Sequence, residues 1–126
     1  MRIPPATSMS GSSGSETKMS ISLLVLRCAD IEKGRLFYES FGFVFTKEKH
    51  GKGPEHFSTL VGSTVLELYP HMKKETSGLR FGLIFNCSKD CIQHVEILGG
   101  QIISADPIVI KDPDGHTIEI QNENFI

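Results

Sequence analysis

The second half of the chain repeats the order of residue types found in the first, and this repeat limits the possible folds more than any other feature. Thr64-Val-Leu-Glu-Leu68 matches His116-Thr-Ile-Glu-Ile120, which sets Glu67 and Glu119 at equivalent points of two alternating runs. Alternation of apolar and polar residues is the period of a half-buried strand. Leu26 maps to Phe85, Gly42 to Gly100 and Glu67 to Glu119, at offsets of 59, 58 and 52. The shortfall falls in a hairpin, where length varies at little cost. A carboxylate in mid-strand is by default a solvent-facing position, but its recurrence at the same point in both halves makes Glu67 and Glu119 candidates for function.

Taken in order, residues 20–29 are apolar with strand character. Asp30 offers a helix N-cap with Glu32 in the first turn, and Ile31, Gly34, Phe37, Tyr38 and Phe41 recur at helical spacing up to Gly42. A second strand begins over 43–46, a polar Gly-rich loop covers 47–55, and strands over 56–61 and 64–69 flank a Gly62-Ser63 turn. After a linker over 70–78 the order restarts. A strand spans 79–87, Ser88 is an N-cap with Asp90 in the first turn, and Cys91, Ile92, Val95 and Leu98 form an apolar stripe ended by Gly99-Gly100. Strands follow over 101–105, 108–111 and 117–121. Asp112-Pro-Asp-Gly115 is the last turn, with Pro113 presetting one corner and Gly115 free to take positive φ. The expected fold is therefore α+β, two βαβββ modules at 20–70 and 79–124.

Residues 1–19 contain the Ser/Gly tract Ser8-Met-Ser-Gly-Ser-Ser-Gly-Ser15, which lacks the apolar surface to offset its ordering entropy. They read as a flexible leader or tag remnant with no secretory h-region, and the domain as 20–126. The 126 residues carry a net charge of −2 with scattered basic residues, so no nucleic-acid footprint is expected. No apolar run is long enough for a bilayer, so no membrane partner is expected either. Cys28, Cys87 and Cys91 form no CxxC pair and read as small buried thiols of a reducing, cytoplasmic compartment, with a redox role for Cys87 and Cys91 as the alternative.

Together these stretches resemble the vicinal oxygen chelate superfamily, which includes glyoxalase I, bleomycin-resistance proteins and extradiol dioxygenases. The residues carrying the likeness are Leu26-Arg-Cys-Ala-Asp-Ile-Glu-Lys33, Phe37-Tyr38, Phe41-Gly42-Phe43, Leu66-Glu-Leu68, Leu98-Gly-Gly100, Asp112-Pro-Asp-Gly115 and Ile118-Glu-Ile120. The resemblance implies two modules whose sheets curl into a mixed half-barrel around a cleft, and in metal-dependent members a ligand from the first and last strand of each. Glu67 and Glu119 match the last-strand positions. The first-strand positions fall on Leu23 and Gly82, neither of which can coordinate a metal. No cofactor is therefore expected, or at most Mg²⁺ or Mn²⁺ held weakly by Glu67 and Glu119.

The cleft would carry Leu23, Val25, Arg27, Val65, Glu67 and Tyr69 from one module and Gly82, Ile84, Asn86, Thr117, Glu119 and Gln121 from the other. Of these, Glu67, Glu119, Leu23, Gly82, Arg27, Tyr69, Asn86 and Gln121 are the expected ligand-binding residues. The expectation is a metal-free small-molecule binding protein, sequestering a cationic or aromatic ligand as a homodimer. The alternative is a divergent metal-dependent lyase, isomerase or transferase using Glu67 and Glu119.

Overall fold

The structure, a computed structural model, describes residues 18–71, 79–87 and 89–122. The leader up to residue 17, most of the expected linker, the Ser88 cap and the last residues of module two lie outside that range. Among these residues the eight expected strands follow in order, with one α-helix. Module one comprises β1 (Leu23–Cys28), α1 (Ile31–Glu39), β2 (Thr46–Glu48), β3 (His56–Val61) and β4 (Thr64–Pro70). Module two comprises β5 (Arg80–Ile84), a 3₁₀ turn (Lys89–Ile92), β6 (Gln101–Ala105), β7 (Ile108–Lys111) and β8 (Thr117–Gln121). The sheets are ordered β1-β4-β3-β2 and β5-β8-β7-β6, each with one parallel pair, β1 with β4 and β5 with β8.

Helix α1 starts at Asp30, whose Oδ1 accepts from the amides of Glu32 and Lys33 at 3.0 and 3.3 Å. It leaves at Ser40, and Gly42 takes φ 107° where the chain reverses. Its Phe37 and Tyr38 are fully buried with Leu26, Leu66 and Leu68 beneath them. Gly34 permits the close approach, since a Cβ there would stand 3.1 Å from Cys28 Sγ.

Two expectations for module two are overturned. The segment after β5 is not an α-helix. Apart from Leu98 to His94 and the closing bond from Gly100 to Val95, its bonds run from the amide to the carbonyl three residues back, Gln93 to Asp90, Val95 to Ile92 and Gly99 to Glu96. Ile92, Val95 and Ile97 are β-branched and fit a helix poorly, which favours this short, tight winding. Gly100 closes it, because a Cβ would lie 2.6 Å from Phe37 Cε1. Secondly, Cys87 and Cys91 are joined in a disulfide, while Cys28 remains a buried thiol. The bridge removes the ground for expecting a reducing compartment.

The modules are tied together by the Asp112–Gly115 turn. Asp112 is buried and accepts four bonds: Tyr38 Oη at 2.6 Å, His116 Nδ1 at 2.6 Å, and the amides of Asp114 and His116 at 2.9 and 3.0 Å. Asp114 Oδ1 accepts from the Ala29 amide at 2.8 Å, at the head of α1. Burial, then the charge of Asp112, pushes the Tyr38 hydroxyl well above its ordinary range. Burial, followed by Asp114 and Asp112, does the same to the Cys28 thiol. Phe41 and Phe43 reach across to Phe85 at ring separations of 6.1 and 6.3 Å, so α1 and the loop after it form the seam.

Candidate functional site

In each sheet the residues facing away from the core face are set by register. In module one Val25 lies beside Glu67, Arg27 beside Tyr69, Ser58 opposite Glu67 and Glu48 opposite His56. One step past the Phe57–Leu68 pair, the rings of His56 and Tyr69 stack at 4.1 Å with 12° between their planes. The Arg27 guanidinium covers the other reach of Tyr69, 5.3 Å from its ring centre.

His56 is the centre of this face. Its Nδ1 lies 3.2 Å from the Pro54 carbonyl oxygen, which can only accept, so Nδ1 is the donor of that bond and Nε2 faces inward. Around Nε2 stand Tyr69 Oη at 3.4 Å, Glu48 Oε1 at 3.4 Å and Glu67 Oε2 at 3.9 Å. His50 Nε2 lies 3.5 Å from the same Glu48 oxygen. Side-chain exposure rises from 1% at His56 through 17% at Glu67 and 36% at Glu48 to 72% at His50, so the cluster runs from a buried floor to an open mouth.

Module two presents a groove of about 960 Å³. Gly82, Ile84, Pro107, Val109 and Ile120 make its apolar lining, and Glu119, Gln121 and Asn122 its polar edge. Gly82 sits directly opposite Glu119, so the missing side chain becomes space. Glu119 is exposed and paired with the Arg80 Nε. Asn122 Oδ1 accepts from the Cys87 amide at 2.6 Å and is thereby fixed in orientation.

The fold, as distinct from these side chains, recurs in solved structures of low sequence identity. The trypanothione-dependent glyoxalase I of Leishmania major matches with a TM-score of 0.66 at 20% identity, covering 86% of this chain and 89% of that one. An integron cassette protein of Vibrio cholerae matches at 0.63 and 21%, over 86% and 98%. A glyoxalase/bleomycin resistance protein/dioxygenase family enzyme of Burkholderia phytofirmans matches at 0.55 and 21%, over 80% and 96%. The fold is that of the vicinal oxygen chelate superfamily. No protein-family model matches the sequence, and no curated protein does.

The superfamily's metal does not fit the four positions the resemblance assigns to it. Leu23 and Gly82 have no donor, and the register brings Val25, not Leu23, beside Glu67. Arg80 already occupies Glu119. Glu67 and Glu119 belong to separate sheets, and the groove around Glu119 is lined by module two alone. Of the other expected site residues, Gly82 and Gln121 line the groove, Arg27 and Tyr69 lie on module one, and Leu23 is an exposed edge-strand residue. Asn86 is exposed just past the end of β5. Arg27 is not the counter-ion of either glutamate; its Nη1 donates to the Pro70 carbonyl at 3.4 Å.

Glu48, His50 and His56 were not among the expected site residues. Glu48 belongs to β2, not to the loop, and faces the same side as His56 and Glu67. A signal was present: Phe43 and Phe45 pack against the core while Val44 is exposed, an alternation that continues to Thr46 and Glu48.

Proposed function

We propose that the protein binds a small organic molecule in the module-two groove. The observation carrying this is a groove of about 960 Å³ in which apolar walls meet a few fixed polar groups at one edge. That is the size and make-up of small-molecule sites. Arg80 already offsets the charge of Glu119, which favours an aromatic guest with hydrogen-bond donors over a strongly cationic one. Gln121 and Asn122 supply the matching acceptors. β1 and β5 are open sheet edges bearing exposed Leu23 and Ile84, so a homodimer that covers those edges accompanies this proposal.

A thermal-shift screen of aromatic amines and planar antibiotics provides the test, because a ligand of the folded state raises the midpoint. Gly82→Leu should abolish the shift by filling the floor of the groove, while leaving the unliganded midpoint close to that of the parent. The nearest atom to a Cβ at Gly82 is the Glu119 carbonyl oxygen at 3.7 Å, an ordinary contact. No shift with any compound, or shifts unchanged in Gly82→Leu, would sink the proposal. Sedimentation as a monomer at tens of micromolar, roughly where a standard interface stays closed, would remove the dimer.

A further inference from the structure

We infer that module one holds a divalent transition-metal site built on Glu48, His50 and His56, with Glu67 beside His56 as its one overlap with the superfamily's metal positions. Glu48, His50 and His56 can each offer one donor atom, and those atoms all lie within 4.8 Å of one another. The spacing is informative. Donors at 2.0–2.2 Å from a tetrahedral Zn²⁺ stand about 3.3–3.6 Å apart along each edge of the tetrahedron. Here the edges from Glu48 Oε1 to His56 Nε2 and to His50 Nε2 are 3.4 and 3.5 Å, and Glu67 Oε2 stands 3.9 Å from His56 Nε2. Charged hydrogen bonds would be shorter, about 2.7–2.9 Å. The groups are therefore spaced as ligands around a common point more than as bonded pairs.

The second observation is His56 itself. Its side chain is 1% exposed, and Nε2 is aimed into the cluster, where its partners among the described residues include Tyr69 Oη and Glu48 Oε1, both at 3.4 Å. A buried ring nitrogen whose partners all stand at such long range is weakly satisfied, which costs stability. The opposite nitrogen bonds to a backbone carbonyl, the arrangement that fixes the tautomer and orientation of a metal-binding imidazole. The local sequence places the fourth group. After β2 the chain turns at Gly51, with φ 58°, and Gly53 donates to the His50 carbonyl at 2.9 Å, which folds His50 back over the strand end. Two imidazoles and two carboxylates favour Zn²⁺ or Co²⁺ over Mg²⁺ or Ca²⁺, which prefer oxygen alone. Tyr69 Oη stands beside the site, close enough to orient a water or a ligand oxygen bound to the ion.

The inference does not depend on the groove in module two, and its test keeps the two apart. Tag-free protein is stripped with EDTA, dialysed and titrated with Zn²⁺ by calorimetry and with Co²⁺ by its visible absorption. One equivalent should bind, with a low-symmetry Co²⁺ spectrum showing nitrogen and oxygen donors. Glu48→Gln, nearly isosteric at a half-buried position, and His50→Ala, at an exposed one, should leave the apo-protein folded and each weaken Zn²⁺ about tenfold or more. His56→Gln should do so more strongly if it folds. Glu119→Gln and Gly82→Leu should leave Zn²⁺ affinity unchanged. Failure to bind one equivalent would overturn the site. So would binding unaffected by both Glu48→Gln and His50→Ala, or weakened equally by Glu119→Gln.

Discussion

The two modules share strand order and register but differ on the face turned away from the core. Module one covers its sheet with a true helix, α1, and on the other face gathers Glu48, His56, Glu67 and Tyr69 around one buried nitrogen. Module two replaces the helix with a 3₁₀ turn and a disulfide, and its free face is an open groove with one exposed ion pair. Topology was therefore kept while the polar chemistry of the two faces diverged. The glutamates make the point. Glu67 and Glu119 occupy the same place in the repeat, yet one is largely enclosed beside a histidine and the other is half in solvent beside an arginine. Equivalent position does not confer equivalent environment, because neighbours on β2, β3 and β5 decide what each carboxylate meets.

The largest effect should come from breaking the link between the modules. Asp112→Ala strands the Tyr38 hydroxyl, the His116 ring N–H and two backbone amides in the interior. Unfilled buried donors of this kind should cost about 3–5 kcal/mol in all. Urea denaturation should show the loss in one cooperative transition if the modules depend on each other. Two separated transitions would show that each module folds alone and that the seam is weaker than its bonds suggest.

Reducing the Cys87–Cys91 bridge should have a smaller effect, confined to module two. The bridge closes a loop with a sequence separation of 4, so chain entropy alone predicts a loss of about 2 kcal/mol. Hydrogen exchange should quicken through the 3₁₀ turn and the groove while α1 and β4 stay protected. Equal quickening in both modules would erase the contrast between them.

Raising the pH tests the seam more gently. The Cys28 and Tyr38 groups both have folded pKa values above their ordinary ones, chiefly through burial. The folded chain then keeps protons that the unfolded chain releases, so stability should fall as pH climbs past the ordinary thiol value of 9.0. Cys28→Ser with Tyr38→Phe should flatten that decline, and a decline unchanged in the double variant would assign it elsewhere. In the native protein Cys28 should also resist alkylation at neutral pH, since the thiolate is the reactive form.

The repeat made most of this fold legible. A helix cap at Asp30, a helix-ending Gly42, hairpin turns and the alternation around Glu67 and Glu119 are local chemistry, and the structure follows each of them. What escaped depends on distances between elements. A Cys pair without a CxxC motif gives no local sign of a bridge. The stripe from Cys91 to Leu98 has helical period, but its β-branched residues and the close packing at Gly100 favour a tighter winding. The cluster at His56 needs residues from β2, the following loop, β3 and β4 at once. Assigning Glu48 to the loop was enough to hide it. Leu23 and Gly82 have side chains without donors, and neither lies next in sequence to the residues of the His56 cluster.

The smallest expected effect is also the sharpest test of the difference between the two glutamates. Arg80 and Glu119 have side chains 60% and 52% exposed, so their attraction is screened and their ordering entropy is substantial. Glu119→Gln should change the free energy of unfolding by less than about 1 kcal/mol, and less still in high salt. A double-mutant cycle with Arg80→Ala should return a coupling energy of the same size. Glu67→Gln should behave differently: its effect on stability should grow when Zn²⁺ is present, because the ligand binds only the folded chain. If both substitutions gave the same small, salt-dependent change with and without Zn²⁺, the glutamates would be interchangeable surface groups. The contrast between an enclosed donor cluster and an open groove would then fail at its most exposed point.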